Sequence, residues 1–128
     1  TAPAYAVMRT LLDRYPEIDG IVSANDLMSV GIINALRETG RRIPLVSING
    51  TPDAIAAIKA GDMLSTTEFS TLGFGAVAAE AALRHIAGKP VPDEIMLPTQ
   101  IITAENIAAW DRPYEERESL TWADVVGT

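Results

Sequence analysis

An α/β fold built on a parallel sheet is what this sequence predicts, and three observations predict it. Short apolar runs alternate with stretches of helical periodicity, the pattern of βαβ units. The apolar runs end in small polar residues, as in Ser23-Ala24-Asn25-Asp26 and Ile48-Asn49-Gly50. The chain has 128 residues, 48% hydrophobic and 21% charged, enough for one domain with a substantial core.

Within residues 4–15, Ala4, Val7, Met8, Leu11 and Leu12 recur at helical spacing. Pro16 closes that helix, because the residue before a proline resists the α conformation. Gly20 to Ala24 is short and apolar, a buried strand. Asp26 is placed to cap the next helix, which runs to about Thr39 on a stripe of Leu27, Val30, Ile33 and Leu36. Gly40 then serves as its left-handed stop. Pro44 to Ile48 reads as a second strand. Thr51 precedes Pro52, a favourable first helical residue, and that helix stops at Gly61. Residues 63–69 form a third strand, rich in hydroxyls. A long helix spans roughly 71–87, its glycines and alanines suited to close packing. Residues 95–103 are extended around Pro98, and 104–110 make a helical turn. Residues 111–128 read as a charged tail with a short helix near Trp122. The alternation opens on a helix, where a parallel sheet ordinarily supplies a strand first. An upstream strand and helix are therefore expected outside this chain. Its start at Thr1-Ala2-Pro3, with neither Met nor signal peptide, fits a processed, cleaved or truncated product.

Bulk properties exclude several classes. The net charge of −7 and the lack of a basic stripe argue against nucleic acid, which demands clustered Lys and Arg. Without Cys, disulfides and thiolate metal sites are excluded. His85, the only His, is read on a solvated helix face, so no zinc site is expected. No apolar run approaches the roughly 18–20 residues of a membrane helix. The run "TLGFGA" (71–76) lacks the Lys and Ser/Thr of a phosphate loop and the full dinucleotide fingerprint.

Three strand ends carry the functional signal: "SAND" (23–26), "INGTPDAIAAIKAG" (48–61) and "STTEFS" (65–70). In open α/β sheets ligands bind at the carboxyl ends of strands. In order and spacing these segments resemble the C-terminal lobe of periplasmic sugar-binding proteins, the ribose-binding-like, type I receptors of ABC transporters. The resemblance runs from about residue 4 to residue 110. It implies a doubly wound parallel sheet with helices on both faces, here an incomplete C-terminal lobe of a two-lobed protein.

The resemblance implies that Asn25 and Asn49 hydrogen-bond sugar hydroxyls. Family members commonly carry Asp at the position of Asn49. An amide both donates and accepts where a carboxylate only accepts, so a different hydroxyl pattern, or an acid group on the ligand, is expected. A third contact falls on Phe69, which can stack on a sugar ring, or on its neighbour Glu68, which can bind a hydroxyl. Plainer readings stand beside these. Asn25 and Asp26 also suit a turn and cap. Asn49-Gly50 suits a plain turn, because both tolerate positive φ. Phe69 also suits a core, and Glu68 solvent. Ser23, Ser47, Thr66 and Thr67 are read as packing residues, Trp110 as packing near the hinge and Trp122 as structural.

The implied topology places residues 1–70 in the C-terminal lobe, 71–98 in the N-terminal lobe, 99–110 back in the C-terminal lobe, and 111–128 in a tail. The implied function is solute capture for an ABC sugar importer: a monosaccharide, polyol or sugar acid is bound in the interlobe cleft by hinge closure. The implied partners are the sugar and a membrane permease, in the periplasm or on an exported protein, with no cofactor and no nucleic acid. The apolar helix at 71–87 is expected to drive self-association or association with the missing N-terminal part. A second family reading is the effector domain of a lac-repressor-type regulator, which shares the fold and often the Asn-Asp pair. The chain lacks that family's Gly-Phe-Asp-Asp strand end and its proline-then-Leu-Thr-Thr run. An enzyme is the third reading. Asp19, Asp26, Asp53 and Glu68 are available, but no nucleophile elbow or triad spacing is present.

Overall fold

Proline and asparagine set the helix starts. In the computed structural model, which describes residues 1–127, α1 (Ala2–Arg14) carries Pro3 in its first turn and α3 (Pro52–Ala60) opens on Pro52. Between them lie β1 (Ile21–Val22), α2 (Asp26–Thr39) and β2 (Leu45–Ile48). β3 (Ser65–Glu68), α4 (Thr71–Ile86) and β4 (Gln100–Thr103) follow. The last third holds single 3-10 turns at Ile107–Ala109 and Tyr114–Glu116, then a short α5 (Trp122–Val125), the helix expected near Trp122. Among the described residues, no helix is long and apolar enough to cross a membrane.

The four strands form one sheet in the order β1-β2-β3-β4. β1, β2 and β3 run parallel, as expected, with Val22 opposite Val46 and Ile48 opposite Thr67. β4 departs from the all-parallel expectation: it adds to β3 antiparallel, with Thr66 opposite Ile102. The connection through α4 returns the chain to the end where β3 finished, with Gln100 opposite Glu68, so β4 runs back in reverse.

Side chains alternate across the sheet. Leu45, Ser47, Thr66, Glu68 and Ile102 share one face and are buried. There they meet Met8 and Leu12 of α1, Ile33 and Leu36 of α2, and Ile55 and Ile58 of α3 in one core. The opposite face carries Val22 (83% exposed), Ile48 (41%) and Ile101 (62%). Helices were expected on both faces; among the described residues they cover one. Sequential parallel strands joined by right-handed crossovers put α2 and α3 on the same side. α1 joins that layer by packing closely along α2, where Gly31 lets the two backbones approach: a Cβ there would strike the Thr1 carbonyl and the Tyr5 amide.

α4 stands apart from this layer. Only Gly73 and Val77 of its sixteen residues are buried, while Leu72, Phe74, Leu83 and Ile86 are exposed. Its main contact is α5, where the Arg84 guanidinium lies 4.5 Å from the centroid of the Trp122 ring. His85 lies exposed on α4, as its sequence context suggests.

Candidate ligand-binding site

The parallel register brings the carboxyl ends of β1, β2 and β3 to one edge of the sheet. Asn25 follows β1 by three residues, Asn49 follows β2 directly, and Phe69 follows β3 directly. All three are half-buried there.

Asn25, not Asp26, caps α2. Its backbone is extended (φ −163°, ψ 163°) and its Oδ1 accepts the Met28 amide at 2.8 Å. Its carbonyl accepts the Ser23 hydroxyl at 2.9 Å and the Ser29 hydroxyl at 3.3 Å. The Asn25 amide nitrogen makes no hydrogen bond among the described residues, which leaves two donors for another molecule.

Asp26 was expected to cap; it turns inward instead. It is 1% exposed, and a carboxylate so buried requires partners. Its Oδ1 accepts the Thr66 hydroxyl at 2.8 Å, and its Oδ2 accepts the Thr51 amide at 2.8 Å. Thr66 Oγ1 in turn accepts the Gly50 amide at 3.1 Å. One carboxylate thus ties the turn after β1 to the turn after β2 and to the middle of β3. Beside it, Ser29 donates to Ser47 Oγ at 2.9 Å. Ser23, Ser47 and Thr66 are buried, in line with their reading as packing residues.

Asn49 and Gly50 both take positive φ (125° and 66°), the geometry their residue types suggest. Gly50 is also required by space, since a Cβ there would lie 2.6 Å from Glu68 Cγ. Glu68 does not face solvent. It is 7% exposed, and its Oε1 accepts the Thr71 amide at 3.3 Å at the start of α4. Phe69 is the more accessible of the pair.

Two residues that sequence reasoning missed reach this edge from the tail. Tyr114 donates to the Asn49 carbonyl at 3.5 Å, and Arg117 Nη1 donates to the Gly50 carbonyl at 2.6 Å. Burial raises the Tyr114 hydroxyl above its ordinary pKa. The Arg117 charge opposes that rise, and the Asp26 and Glu68 carboxylates add to it. Tyr114 therefore stays a neutral donor at neutral pH. A cavity of about 700 Å3 opens beside β3 and β4, lined by Glu68, Ser70, Gln100, Trp110, Arg117 and Leu120. Asn25, Asn49 and Phe69 do not line it; of the candidate contacts only Glu68 does. A second hollow, about 510 Å3, lies at the amino end of β2 between Arg37, Ile43 and Met63, away from the strand carboxyl ends. Among the described residues, no group of three acidic, His or Cys side chains is placed to hold a metal ion.

Residues 1–90 match the family model described as a periplasmic binding protein domain. The chain belongs to that family. Among curated relatives, it is 34% identical over 96 residues to the xylitol-binding protein of Mycolicibacterium smegmatis, covering 72% of this chain and 27% of that protein. It is 32% identical over 97 residues to the ribose import binding protein RbsB of Bacillus subtilis, covering 76% of this chain and 32% of that protein. The HTH-type transcriptional regulator CelR of Thermobifida fusca is also 32% identical, over 79% of this chain and 30% of that protein. The chain thus spans less than a third of the length of these relatives. Of solved structures, the ABC transporter solute-binding protein of Bacillus halodurans with bound myo-inositol superimposes with a TM-score of 0.80. It is 30% identical, over 86% of this chain and 39% of that one. The periplasmic solute-binding protein of Actinobacillus succinogenes with bound D-allose gives 0.77 at 28% identity, over 81% and 37%. The fold is therefore that of the periplasmic binding proteins.

Proposed function

We propose that this chain supplies one wall of the ligand cleft of a solute-binding protein serving an ABC sugar importer. The ligand is a monosaccharide, a related polyol or a sugar acid, held between two lobes and enclosed by hinge closure. Asn25, Asn49, Phe69 and Glu68 contact it: the two amides with hydroxyls, Phe69 with the apolar face of the ring, and Glu68 as an acceptor. No bond is made or broken; selective capture and presentation to a membrane permease is the whole task, in the periplasm or on an exported protein.

The observation that carries this reading is the convergence of three polar strand ends on one sheet edge, with the Asn25 amide donors unengaged. The sugar- and inositol-bound receptors that share the fold support it. Residues 1–70 then belong to the C-terminal lobe, 71–98 to the N-terminal lobe, 99–110 again to the C-terminal lobe and 111–128 to a tail. The exposed apolar side chains of α4 support that division, because a helix with so few buried positions has its packing partner elsewhere. That partner is the N-terminal part of the protein or a second copy of this chain.

CelR keeps the regulator reading in play. The two are separated by the sequence upstream of Thr1 in the gene, an export signal or a helix-turn-helix. The direct test is calorimetry of the gene product against D-ribose, D-allose, xylitol and myo-inositol. Saturable binding of one or more is expected. Heat from none of them, with the protein folded, overturns the reading.

A further inference from the structure

Among the described residues, two non-glycine positions take positive φ: Asn49 at 125° and Ser70 at 51°. They follow β2 and β3 at the candidate ligand edge. Such backbone is costly for a side-chain-bearing residue and persists where its surroundings over-determine it. One segment of the tail grips both turns. Arg117 Nη1 donates to the Gly50 carbonyl at 2.6 Å, Tyr114 donates to the Asn49 carbonyl at 3.5 Å, and the Leu120 amide donates to Ser70 Oγ at 3.3 Å. The Arg117 guanidinium is itself fixed. It stacks 4.4 Å from the Tyr114 ring centroid, and its Nε donates to the Arg112 carbonyl at 3.2 Å.

We propose that Arg117 is a positioning residue for the ligand turn: by clamping the Gly50 carbonyl it holds Asn49 in its left-handed backbone and aims the Asn49 amide at the ligand. The Asn49 side chain makes no hydrogen bond among the described residues, so the turn's backbone fixes its direction. Arg suits the task because it combines a planar stacking surface with several donors of fixed geometry; Lys supplies charge and donors without the planar stacking surface. This role rests on Asn49 being a ligand contact, as proposed above.

The test uses the full-length gene product carrying Arg117→Ala, Arg117→Lys or Tyr114→Phe. Amide resonances of Asn49 and Gly50 are followed by 15N NMR, and affinity is read with D-ribose, D-allose, xylitol and myo-inositol. Arg117→Ala is expected to move both resonances while those of α1 stay in place. It should weaken the tightest of these ligands about tenfold, the scale of one buried hydrogen bond. Arg117→Lys should recover part of each effect, and Tyr114→Phe, which keeps the stack, should disturb least. Unmoved Asn49 and Gly50 resonances in folded Arg117→Ala overturn the proposal. Moved resonances with unchanged affinity overturn it too if Asn49→Ala still loses binding; if Asn49→Ala also binds normally, it is the ligand contact that fails. Where the unmutated full-length gene product binds none of the four, the proposed function fails while the resonances still decide whether Arg117 sets the turn. Should Arg117→Ala not fold, Arg117→Lys decides on the same resonances.

Discussion

The buried Asp26 carboxylate accepts the Thr66 hydroxyl at 2.8 Å, joining the start of α2 to the middle of β3 across 40 residues of sequence. The same hydroxyl accepts the Gly50 amide, so Thr66 relays between a carboxylate and a turn. Thr66→Val keeps the shape but neither donates nor accepts. It leaves Asp26 Oδ1 and the Gly50 amide without their partner in a site 0% exposed at Thr66. Each orphaned buried group costs about 1–3 kcal/mol. Urea denaturation should therefore show a loss of about 2–6 kcal/mol. A loss below about 0.5 kcal/mol, the level of a neutral surface change, would remove Thr66 from its relay role.

Opposite faces of β2 should respond oppositely to truncation. Leu45 is 0% exposed and sits in the core, whereas Ile48 is 41% exposed on the open face. Leu45→Ala should cost about 2–5 kcal/mol through lost burial and the cavity left behind. Ile48→Thr should stay within about 0.5 kcal/mol, because it exposes no new cavity and keeps a β-branched strand residue. Equal losses at the two positions, measured by thermal or chemical unfolding, would mean that the Ile48 face is covered in solution.

Acid should loosen α5 before it unfolds the core. Asp124 Oδ2 accepts both the Thr121 amide at 2.8 Å and the Thr121 hydroxyl at 2.7 Å. Those bonds hold its pKa below the ordinary carboxylate value. A depressed folded pKa means that the contribution is complete above the unfolded value, about 3.9, and fades as pH falls through the lower folded value. The Thr121 amide resonance should shift over that acid window, and Asp124→Asn should abolish the shift. A Thr121 resonance that titrates unchanged in Asp124→Asn would assign the effect to another group.

Much of this molecule is legible in its residues, and the exceptions share a cause. The helices announce themselves through Pro52, Gly40, Gly61 and apolar spacing, all local signals. The strand ends Asn25, Asn49 and Phe69 are legible because parallel connectivity forces successive carboxyl ends to one edge. What local patterns do not carry is tertiary partnership. Asp26 looks like a cap, since Asp caps helices; its burial depends on Thr66 and Thr51, which the sequence leaves 40 and 25 residues away. Asp26 and Thr51 follow β1 and β2 at helix starts and Thr66 lies within β3, so no local spacing marks the three as partners. Glu68 looks solvated until Gly50 is seen packing on its stem. β4 reads as a strand, but its direction depends on where α4 sends the chain. Tyr114 and Arg117 sit in a charged stretch after Pro113, with no local mark that they reach the Asn49 turn.

Asn25 has one observed duty, the cap, and one proposed duty, the ligand contact, and a pair of substitutions can separate them. Its Oδ1 caps α2, and its Nδ2 is the group left for a ligand. Asn25→Asp keeps an excellent cap and places negative charge at a helix N-terminus, but removes both amide donors. Stability should be equal or slightly higher, while affinity for a hydroxylated ligand that accepts from Nδ2 falls by about tenfold or more. Asn25→Ala loses the cap as well, about 1 kcal/mol of stability, and should bind at least as weakly. The decisive comparison is therefore between stability and affinity in the same two variants, by denaturation and by calorimetry. If Asn25→Asp binds as well as the unmutated chain while Asn25→Ala is weakened only in proportion to its lost stability, Asn25 is a cap and nothing more. The ligand would then have to be held from β2, β3 and the opposite lobe.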